Sequence, residues 1–430
     1  MNINFYKEVN ILRGIMKGVL VIIDGMADLP CKQLGDKTPL EAANMPNADF
    51  LAARGELGYM YPVKPGFIPE SDEAVVSIFG NELISSTRGQ LEARGADIKL
   101  VRGDLALRAN FATIDSYKAG NIIDRREGRT LTTGEAEALA KTLNSHIKLA
   151  CPFIFKPTVG HRGVLVFKGG FSDNISGNDT QYFGGQIKTS NKIIKCKSLD
   201  DEENTQYTVN VVNEFLEKAF DILDKHPVNE NRRKRGELPA NFLLVRGAGV
   251  EAPKLKLYRR WVSAAYMPLE KGFSVASGMK TFSFIYPKLK KMDVYSNLYD
   301  GLSKACKFSN WILWRNRKTA DYAYVHIKEP DVPGHDNKPV EKKEMLEYID
   351  KVLFNFLRKF APPNKIKVVI TADHSTPCKS KSHSADPVPV LFYNCKVPPK
   401  EQKFCENEAR KGKLGRINGK ELLGKVGFLK

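Results

Sequence analysis

The sequence has few cysteines, no paired-cysteine motif and no long hydrophobic run. Its seven cysteines are scattered over 430 residues, and no two of them have the Cys-X-X-Cys spacing. A disulfide framework or a structural zinc knuckle is therefore disfavoured, and reduced thiols of a cytoplasmic protein are expected. No apolar run approaches the ~20 residues that cross a bilayer, and the longest run near the start, 19–23, ends at Asp24. We expect neither a membrane span nor a secretory leader.

Acidic residues are fewer than basic residues. The chain has 49 Asp and Glu against 67 Lys and Arg, which gives a net charge of +18. Such a balance attracts polyanions, either nucleic acid or a small phosphorylated substrate. The one tight basic cluster, 232–235, precedes Pro239 and is expected to be a solvated loop. Because no known nucleic-acid-binding module accompanies the charge, we expect a small anionic substrate and no nucleic-acid partner.

Strand-like and helix-like segments alternate along the chain, whose length suggests about two or three domains. Short runs rich in Val, Ile and aromatic residues predict strands at 19–23, 164–167, 242–245, 281–286, 322–327, 367–370 and 388–393. Apolar residues near helical spacing predict helices at 41–56, 133–144, 209–223 and 342–360. This alternation predicts an α/β fold with a mainly parallel sheet flanked by helices. Residues 1–15 have no clear role and are interpreted as an N-terminal extension.

Three of the predicted strands end in side chains that suit metal ions. In open α/β sheets, ligands gather beyond the carboxyl ends of the strands. The groups that follow these three strand ends are Asp24, then Asp331 and His335, and then Asp373, His374 and His383. Pro330, Pro333 and Gly334 argue against a regular helix between Asp331 and His335, so a loop is expected there.

These six side chains have simpler interpretations one by one, but together they favour metal binding. Asp24 alone could cap a turn, and Asp331 with His335 could form a salt bridge. Asp373-His374 is harder to explain, because a buried strand rarely ends in two ionisable groups without partners. Imidazole and carboxylate together suit zinc, manganese or iron better than magnesium or calcium. Three aspartates and three histidines are enough to hold two ions that position a phosphoryl group.

Ser71 lies in the segment Pro69-Glu-Ser-Asp-Glu-Ala-Val75, which looks like the start of a helix. One interpretation makes Ser71 the N-cap residue. The other makes it a nucleophile at a helix N-terminus, where amide groups and the helix dipole favour a phosphate. A metal ion on its oxygen would lower the pKa of the hydroxyl. The metal-binding pattern elsewhere in the chain favours the second interpretation.

The chain resembles the archaeal-type 2,3-bisphosphoglycerate-independent phosphoglycerate mutases, which belong to the alkaline phosphatase superfamily. The resemblance extends from about Met16 to the C-terminus. Besides the metal-binding segments, it rests on Pro65-Gly-Phe-Ile-Pro-Glu-Ser71, Arg88-Gly-Gln-Leu-Glu-Ala, Gly103-Asp-Leu-Ala-Leu-Arg-Ala-Asn-Phe111, Asp124-Arg-Arg-Glu-Gly-Arg129, His161-Arg-Gly163 and 241–249. It implies an alkaline-phosphatase-like core of 16–82 and 258–430, with an inserted α+β substrate-binding cap of 83–257.

The resemblance also implies a site and a reaction. One metal ion would be held by Asp24, Ser71, Asp373 and His374, and the other by Asp331, His335 and His383. Manganese is the first choice, with zinc or cobalt as alternatives. Ser71 would take the phosphoryl group of 3-phosphoglycerate and return it to the 2-hydroxyl of the trapped glycerate. Asp124 would shuttle protons, and substrate would be bound by Arg125, Arg126, His161, Arg162 and Arg246, although each arginine could instead form a surface salt bridge.

Two segments depart from the family pattern. Gly177-Asn-Asp179-Thr stands where the family has Asp-Pro-His, and Pro287–Asp293 replaces a Gly-rich stretch with Asp-Thr. Both would lie where substrate is held, so they affect the substrate rather than the metal chemistry. A phosphohydrolase or another phosphomutase on the same core is the alternative, and a catalytically inert basic binding protein is a third. The sequence is compatible with a homo-oligomer and does not decide it.

Overall fold

A computed structural model describes residues 16–82, 88–179, 182–183, 186–187, 191–289, 293–394 and 398–429 of the protein. The expected extension at 1–15 lies outside the described residues. The strands are β1 (Gly18–Ile23), β2 (Gly55–Tyr61), β3 (Leu105–Ile114), β4 (Ile122–Asp124), β5 (Phe153–Pro157), β6 (Arg162–Phe167), β7 (Tyr182–Phe183), β8 (Gln186–Ile187), β9 (Phe242–Gly249), β10 (Trp261–Ala264), β11 (Lys280–Phe282), β12 (Tyr322–Ile327), β13 (Lys367–Thr371), β14 (Val388–Tyr393) and β15 (Gly415–Asn418).

Helices connect most of these strands. They are α1 (Pro39–Ala42), α2 (Pro46–Ala53), α3 (Ser71–Ile78), α4 (Arg88–Gly95), α5 (Thr133–His146), α6 (Glu203–Asp224), α7 (Pro227–Lys234), α8 (Pro268–Ala276), α9 (Val294–Asn316), α10 (Asp331–His335), α11 (Pro339–Ile349), α12 (Asn355–Phe360), α13 (Glu406–Lys411) and α14 (Leu422–Lys425). A π-helical turn, Asp350–Phe354, joins α11 to α12. None of the helices in the described ranges is long and apolar enough to cross a membrane.

The larger sheet has eight strands in the order β11-β10-β12-β1-β13-β14-β2-β15. Strands β11, β10, β12, β1 and β13 run parallel to one another, whereas β14 is antiparallel to both of its neighbours. Every residue of β1 is buried, as expected for a central parallel strand covered on both faces. The α/β fold class predicted from the sequence, with a mainly parallel sheet flanked by helices, is confirmed.

The smaller sheet has five antiparallel strands: it runs β4-β3-β6-β5, and β9 also pairs with β3. It has a hydrophobic core of its own, built from side chains between Leu105 and Ala248. Helix α6 covers this core with Val212, Phe215 and Ala219, which recur at a spacing of three and four residues. The core around the larger sheet is a separate cluster. Two sheets therefore each bury their own apolar side chains.

Several local predictions need correction. The helix expected at 41–56 is divided into α1 and α2 around residues 43–45, and its last two residues begin β2. The strand expected at 281–286 is only Lys280–Phe282. The basic cluster 232–235 is not a solvated loop, because it closes α7 and the Arg232 side chain is fully buried. Its guanidinium bonds to Glu135 and to the backbone oxygen of Leu238, which compensates the charge.

Candidate two-metal site at the edge of the large sheet

The three central strands of the large sheet end at the same edge. Strand β1 lies between β12 and β13 and is parallel to both. Asp24 follows β1 directly, Asp331 begins α10 shortly after β12, and Asp373 follows β13 after one residue. This parallel register brings carboxylates that are up to 349 positions apart in the sequence into one site.

Asp24, Asp373 and His374 form the first group of candidate metal ligands. Their ligand atoms all lie within 4.8 Å of one another, and all three residues are buried. His374 Nε2 is 3.1 Å from Asp24 Oδ1 and 3.5 Å from Asp373 Oδ2. Burial alone would lower the pKa of His374, but the carboxylates of Asp373 and Asp24 raise it to about 9. The sequence prediction that these residues share a site agrees with this geometry.

Gly25 explains why the strand end can approach the other ligands so closely. It has a φ of +59°, and a β-carbon there would lie 2.7 Å from Thr376 Oγ1 and 2.8 Å from Asp331 Oδ1. Its backbone N–H donates to Asp373 Oδ1 at 3.2 Å. Any larger residue would therefore displace Asp331 or Thr376.

Asp331, His335 and His383 form the second group. His335 Nε2 is 3.3 Å from Asp331 Oδ2, and His383 Nε2 is 3.7 Å from Asp331 Oδ1. The expected loop between Asp331 and His335 is in fact one short helical turn, α10, with Pro333 as its third residue. Proline is tolerated there because the N–H groups of a first turn have no partner within the helix. The turn places both side chains on one face, at the i, i+4 spacing.

The two groups are adjacent, and each histidine is oriented by a second hydrogen bond. The rings of His374 and His383 stack at 3.6 Å. The Nδ1 atom of each histidine lies within hydrogen-bond distance of an oxygen: Thr376 Oγ1 for His374 (3.0 Å), Lys381 O for His335 (2.9 Å) and Pro69 O for His383 (2.9 Å). Thr376 Oγ1 donates its own proton to Asp331 Oδ1, so it accepts from His374. With each Nδ1–H donated to an oxygen, Nε2 is the ring nitrogen that faces the carboxylates, the orientation found in metal-binding histidines.

Ser71 lies next to the first group, but it is not the N-cap of its helix. Glu70 holds the extended N-cap conformation, and Ser71 is the first helical residue of α3. Its hydroxyl is therefore not used for capping. Ser71 Oγ is 3.3 Å from His374 Nε2, at a helix N-terminus that favours anions.

Lys328 is a functional side chain that the sequence interpretation missed. It follows β12, and its ammonium contacts Asp24 Oδ2 and lies 3.3 Å from Ser71 Oγ and 3.9 Å from Asp373 Oδ2. Its position directly after a strand that ends near metal ligands was the available signal. Residue 328 is only 9% exposed, so its charge is held by these carboxylates and by Glu270 at 2.8 Å.

The donor atoms fit divalent ions. Asp24 Oδ1 and Asp373 Oδ2 are fully buried and accept no hydrogen bond of normal geometry from the described residues. Buried carboxylate oxygens without such partners are costly unless a cation neutralises them. The Lys328 ammonium contacts the other oxygen of Asp24, Oδ2, and lies 3.9 Å from Asp373 Oδ2, so Asp24 Oδ1 is left for a divalent ion. His326 of β12 lies beside them, with Nε2 3.5 Å from Asp373 Oδ2.

A third group of possible ligands does not fit an ion as well. Asp28, Cys31 and Cys378 lie close together behind the site. The buried ammonium of Lys342 is 2.7 Å from Asp28 Oδ2, and the backbone N–H of Cys378 donates to the same carboxylate. Burial raises the pKa of the Cys31 thiol to about 11. The carboxylate already has its cation, and the thiols stay protonated.

A cavity of about 340 Å³ opens in front of Ser71 and is lined from both sheets. The metal-binding residues that line it are Asp24, Asp331, His335 and His383, and the predicted substrate-binding residues Arg125, Arg126, His161, Arg162 and Arg246 all line it as well. Burial and the nearby guanidinium of Arg162 keep the pKa of His161 well below its usual range, so its imidazole is neutral. The cavity therefore carries several positive charges opposite a serine hydroxyl, an arrangement that suits an anion.

One of the predicted substrate-binding residues, Arg246, is paired with a carboxylate next to Ser71. Arg246 forms an ion pair with Glu70, the residue before Ser71. Arg88, also in the cavity wall and not predicted from the sequence, pairs with the same carboxylate. Burial opposes ionisation of Glu70, but Arg246 and Arg88 lower its pKa to about 2. This network fixes the backbone that carries Ser71.

Asp124 lies to one side of the main cavity. It lines an adjoining cavity together with Arg125 and Arg126, which face both cavities, and its Oδ1 accepts the backbone N–H of Arg126 at 2.6 Å. Asp179, in the first departure from the family pattern, is 3.3 Å from Arg125 Nε and lines the main cavity. Residues 287–289 of the second departure also line it, whereas Asp293 caps the start of α9 and lines the adjoining cavity. Residues 180 and 290–292 lie outside the described residues.

The fold and this site define an α/β protein in which a buried serine lies beside two groups of candidate metal ligands. A family model for the 2,3-bisphosphoglycerate-independent phosphoglycerate mutases matches residues 52–229. The mutase of that name from Thermococcus kodakarensis is 39% identical over 416 residues, which is 95% of each chain. The chain belongs to this family of mutases, which are metal-dependent isomerases.

Other relatives agree over nearly the whole chain. The mutase from Pyrococcus furiosus is 39% identical over 415 residues, again 95% of each chain. A solved protein structure from Pyrococcus horikoshii has a TM-score of 0.73 at 30% identity and covers 97% of this chain and 98% of its own. The cofactor-independent phosphoglycerate mutase from Thermoplasma acidophilum has a TM-score of 0.56 at 29% identity and covers 96% of this chain and 99% of its own.

Proposed function

We propose that the protein interconverts 3-phosphoglycerate and 2-phosphoglycerate without 2,3-bisphosphoglycerate, as a cytoplasmic enzyme of glycolysis and gluconeogenesis. The observation that carries the proposal is the position of the Ser71 hydroxyl. It lies 3.3 Å from both His374 Nε2 and Lys328 Nζ, at the mouth of an arginine-lined cavity. The substrate is a small phosphorylated acid, and no nucleic-acid or membrane partner is needed.

In the proposed reaction, the parts of the chain that carry the two sheets have different roles. The core, 16–82 and 258–430, supplies the metal-binding side chains, and the inserted cap, 83–257, supplies the arginines. The separate hydrophobic cores of the two sheets support this division. A cap that closes over the core would exclude water from the phosphorylated serine, which separates a mutase from a hydrolase.

Two divalent ions would be held by the donor sets described above. Asp24, Asp373 and His374, joined by Ser71, would bind one, and Asp331, His335 and His383 the other. The mixed nitrogen and oxygen donors suit manganese, with zinc or cobalt as alternatives. When bound, such ions offset charge on the phosphoryl oxygens and lower the pKa of the serine hydroxyl.

Phosphoryl transfer to the enzyme begins at Ser71 Oγ. Ser71 reacts as the alkoxide, after its hydroxyl proton has left to solvent. As Oγ bonds to phosphorus, the bond from phosphorus to O3 of the glycerate breaks, and O3 leaves with the electron pair and takes up a proton; the return step releases Oγ as the alkoxide again. The Lys328 ammonium, 3.3 Å away, donates a hydrogen bond to Oγ and stabilises it as its negative charge develops. The N-terminal amides of α3 face the phosphoryl group once it is attached to Ser71.

The cap holds the glycerate for the second step, in which the phosphoryl group returns from Ser71 to the substrate. Glycerate stays in the cavity because planar guanidinium groups, such as Arg125 and Arg162, can bind its carboxylate with paired hydrogen bonds. Its 2-hydroxyl loses a proton and attacks phosphorus, which releases Ser71 Oγ. Asp124 is the proposed carrier of the protons that leave O2 and reach O3. Its position beside Arg125 and Arg126 supports this role.

The direct test is an assay with one substrate. The purified chain is incubated with Mn²⁺ and 3-phosphoglycerate in the absence of 2,3-bisphosphoglycerate, and 2-phosphoglycerate and free phosphate are followed separately. We expect 2-phosphoglycerate to form with little free phosphate. The two departures from the family pattern lie in the cavity wall, so a phosphohydrolase or another phosphomutase is the alternative. Release of phosphate without 2-phosphoglycerate rejects the mutase.

A second test removes one cationic group of the cap. Arg162 lines the cavity, and no carboxylate of the described residues lies within 4.0 Å of its guanidinium, although Glu92 is near enough to interact with its charge; the guanidinium can therefore bind substrate. We expect Arg162→Leu to raise KM for 3-phosphoglycerate by about tenfold or more, since a charge-assisted hydrogen bond is worth ~1.5–3 kcal/mol. Arg102→Leu is the control, because Arg102 is an exposed cap arginine that pairs with Glu251. Equal KM values in the two variants would contradict the role of Arg162.

A further inference from the structure

The ammonium of Lys328 is surrounded by more carboxylates than the metal site needs. It contacts Asp24 and lies 3.9 Å from Asp373, both members of the first metal-binding group. Its third carboxylate neighbour is Glu270, whose Oε1 is 2.8 Å from Nζ. Glu270 stands in the first turn of α8 and does not belong to either group of ligands in this site.

The ion pair with Lys328 explains why the Glu270 carboxylate can be buried. Its side chain is only 2% exposed, and neither carboxylate oxygen accepts a hydrogen bond of normal geometry from the described residues. Lys328 is its one ion-pair partner in the described ranges. A buried carboxylate in this condition depends on its cation. Glu270 is therefore placed to hold the Lys328 ammonium.

The Lys328 ammonium and a divalent metal ion compete for the same carboxylates. Both are attracted to Asp24 and Asp373, and two cations that share these carboxylates repel each other. An ammonium that stays on Asp24 would therefore weaken metal binding. An ammonium retained by Glu270 keeps its hydrogen bond to Ser71 Oγ, which lies 3.3 Å from Nζ on the reactive side.

We infer that Glu270 is a positioning residue, which holds the Lys328 ammonium beside Ser71 so that Asp24 and Asp373 are left to the metal ion. The effect on turnover rests on the proposed function, whereas the effect on metal affinity does not. Glu270 lines the cavity next to Lys328, and its ion pair with that ammonium is the contact through which we assign its role. A simple counter-ion would instead stabilise the fold without any specific link between Lys328 and the metal.

The test is a double-mutant cycle on metal affinity, measured by isothermal titration of the full chain with Mn²⁺. Its members are the unaltered protein, Glu270→Gln, Lys328→Met and the double variant. We expect Glu270→Gln to weaken binding of the ion at Asp24 and Asp373 by at least tenfold more when Lys328 is present than when it is replaced. Equal fold-changes in the two backgrounds would overturn the inference, because additive effects mean that the residues do not act through each other.

Two controls distinguish the expected change in Mn²⁺ affinity from a general loss of negative charge and from loss of folding. Glu251→Gln removes a surface carboxylate paired with Arg102 and should leave the Mn²⁺ affinity unchanged. Circular dichroism reports the folding of each variant, and if Glu270→Gln does not fold, Glu270→Asp takes its place in the cycle with the same criterion. Absence of saturable Mn²⁺ or Zn²⁺ binding to the unaltered chain would overturn the inference together with the metal site.

A crystal structure with Mn²⁺ bound tests the position of the Lys328 ammonium independently of the affinity measurements. We expect Lys328 Nζ within hydrogen-bond distance of Glu270 and out of contact with Asp24. An Nζ that leaves Glu270 would overturn the inference. Mutase turnover of the same preparations distinguishes the two proposals. If the effects on Mn²⁺ affinity are additive and turnover is normal, only the role of Glu270 is rejected. If the effects on affinity are non-additive and no 2-phosphoglycerate forms, only the mutase is rejected.

Discussion

Ser71→Ala should lower the turnover of 3-phosphoglycerate by roughly 10⁴-fold or more, because removing a nucleophile leaves only binding and electrostatic effects. The fold should be unaffected, since the Ser71 hydroxyl does not cap α3. The content of bound metal should stay close to that of the unaltered protein, because Asp24, Asp373 and His374 remain. Steady-state kinetics and metal analysis of the dialysed protein measure the two quantities.

The matched control for this substitution lies on the same helix. Ser77 is buried in α3, two turns after Ser71, and it packs against Gly419 rather than the metal-binding residues. Ser77→Ala should retain most of the activity, with at most a modest loss of stability. Activity of Ser71→Ala near that of Ser77→Ala would remove Ser71 from the mechanism. Loss of metal together with activity would show instead that Ser71 is mainly a ligand.

Asp331→Asn should reduce the bound metal from two ions per chain to one and lower turnover by about 10³-fold or more. Asp331 is the only carboxylate of the second group, and both of its oxygens face histidines. Burial opposes its ionisation, but His335 and His383 keep the pKa of Asp331 well below the usual range. Asparagine has the same shape without the charge, so the loss reports on metal binding rather than packing. Inductively coupled plasma mass spectrometry after dialysis against Mn²⁺ gives the stoichiometry.

Asp336→Asn is the control for this variant. Asp336 lies five residues further on, just after α10, and pairs with Arg129 and with the hydroxyl of Tyr295 instead of a metal-binding histidine. It should retain two ions per chain. Two ions in Asp331→Asn, or an equal loss in both variants, would contradict the assignment of the second metal site.

The metal-binding side chains were accessible from the sequence because their position along the chain follows from strand geometry. A buried strand that ends in Asp24-Gly25 or Asp373-His374 exposes those groups at the sheet edge where ligands gather. Lys328 also follows a strand directly, at the same sheet edge. It was missed because a lysine in that position does not indicate a metal site. Glu270 could not have been found in this way, since it comes from a helix start, and only the packing of α8 brings it to Lys328.

Local errors in the sequence interpretation have physical causes of the same kind. Ala and Leu favour helix throughout 41–56, yet Pro46 starts a new helix, and the last residues pair with β14 as part of β2. Tertiary pairing overrode the local preference there. Arg232 was expected in solvent because four basic residues are adjacent, but acidic partners from a distant helix bury it.

By itself, the sequence determined the α/β class, and it predicted six carboxylates and imidazoles as metal ligands and Ser71 as the nucleophile. These depend on strand ends and residue types, which are local properties of the chain. Only the tertiary structure decided how they meet: the parallel register of β12, β1 and β13 joins the ligands, and the second hydrogen bond of each histidine turns Nε2 toward them. It also decided the partners of Lys328, because a charge buried among residues from four elements is fixed by packing that no single segment encodes.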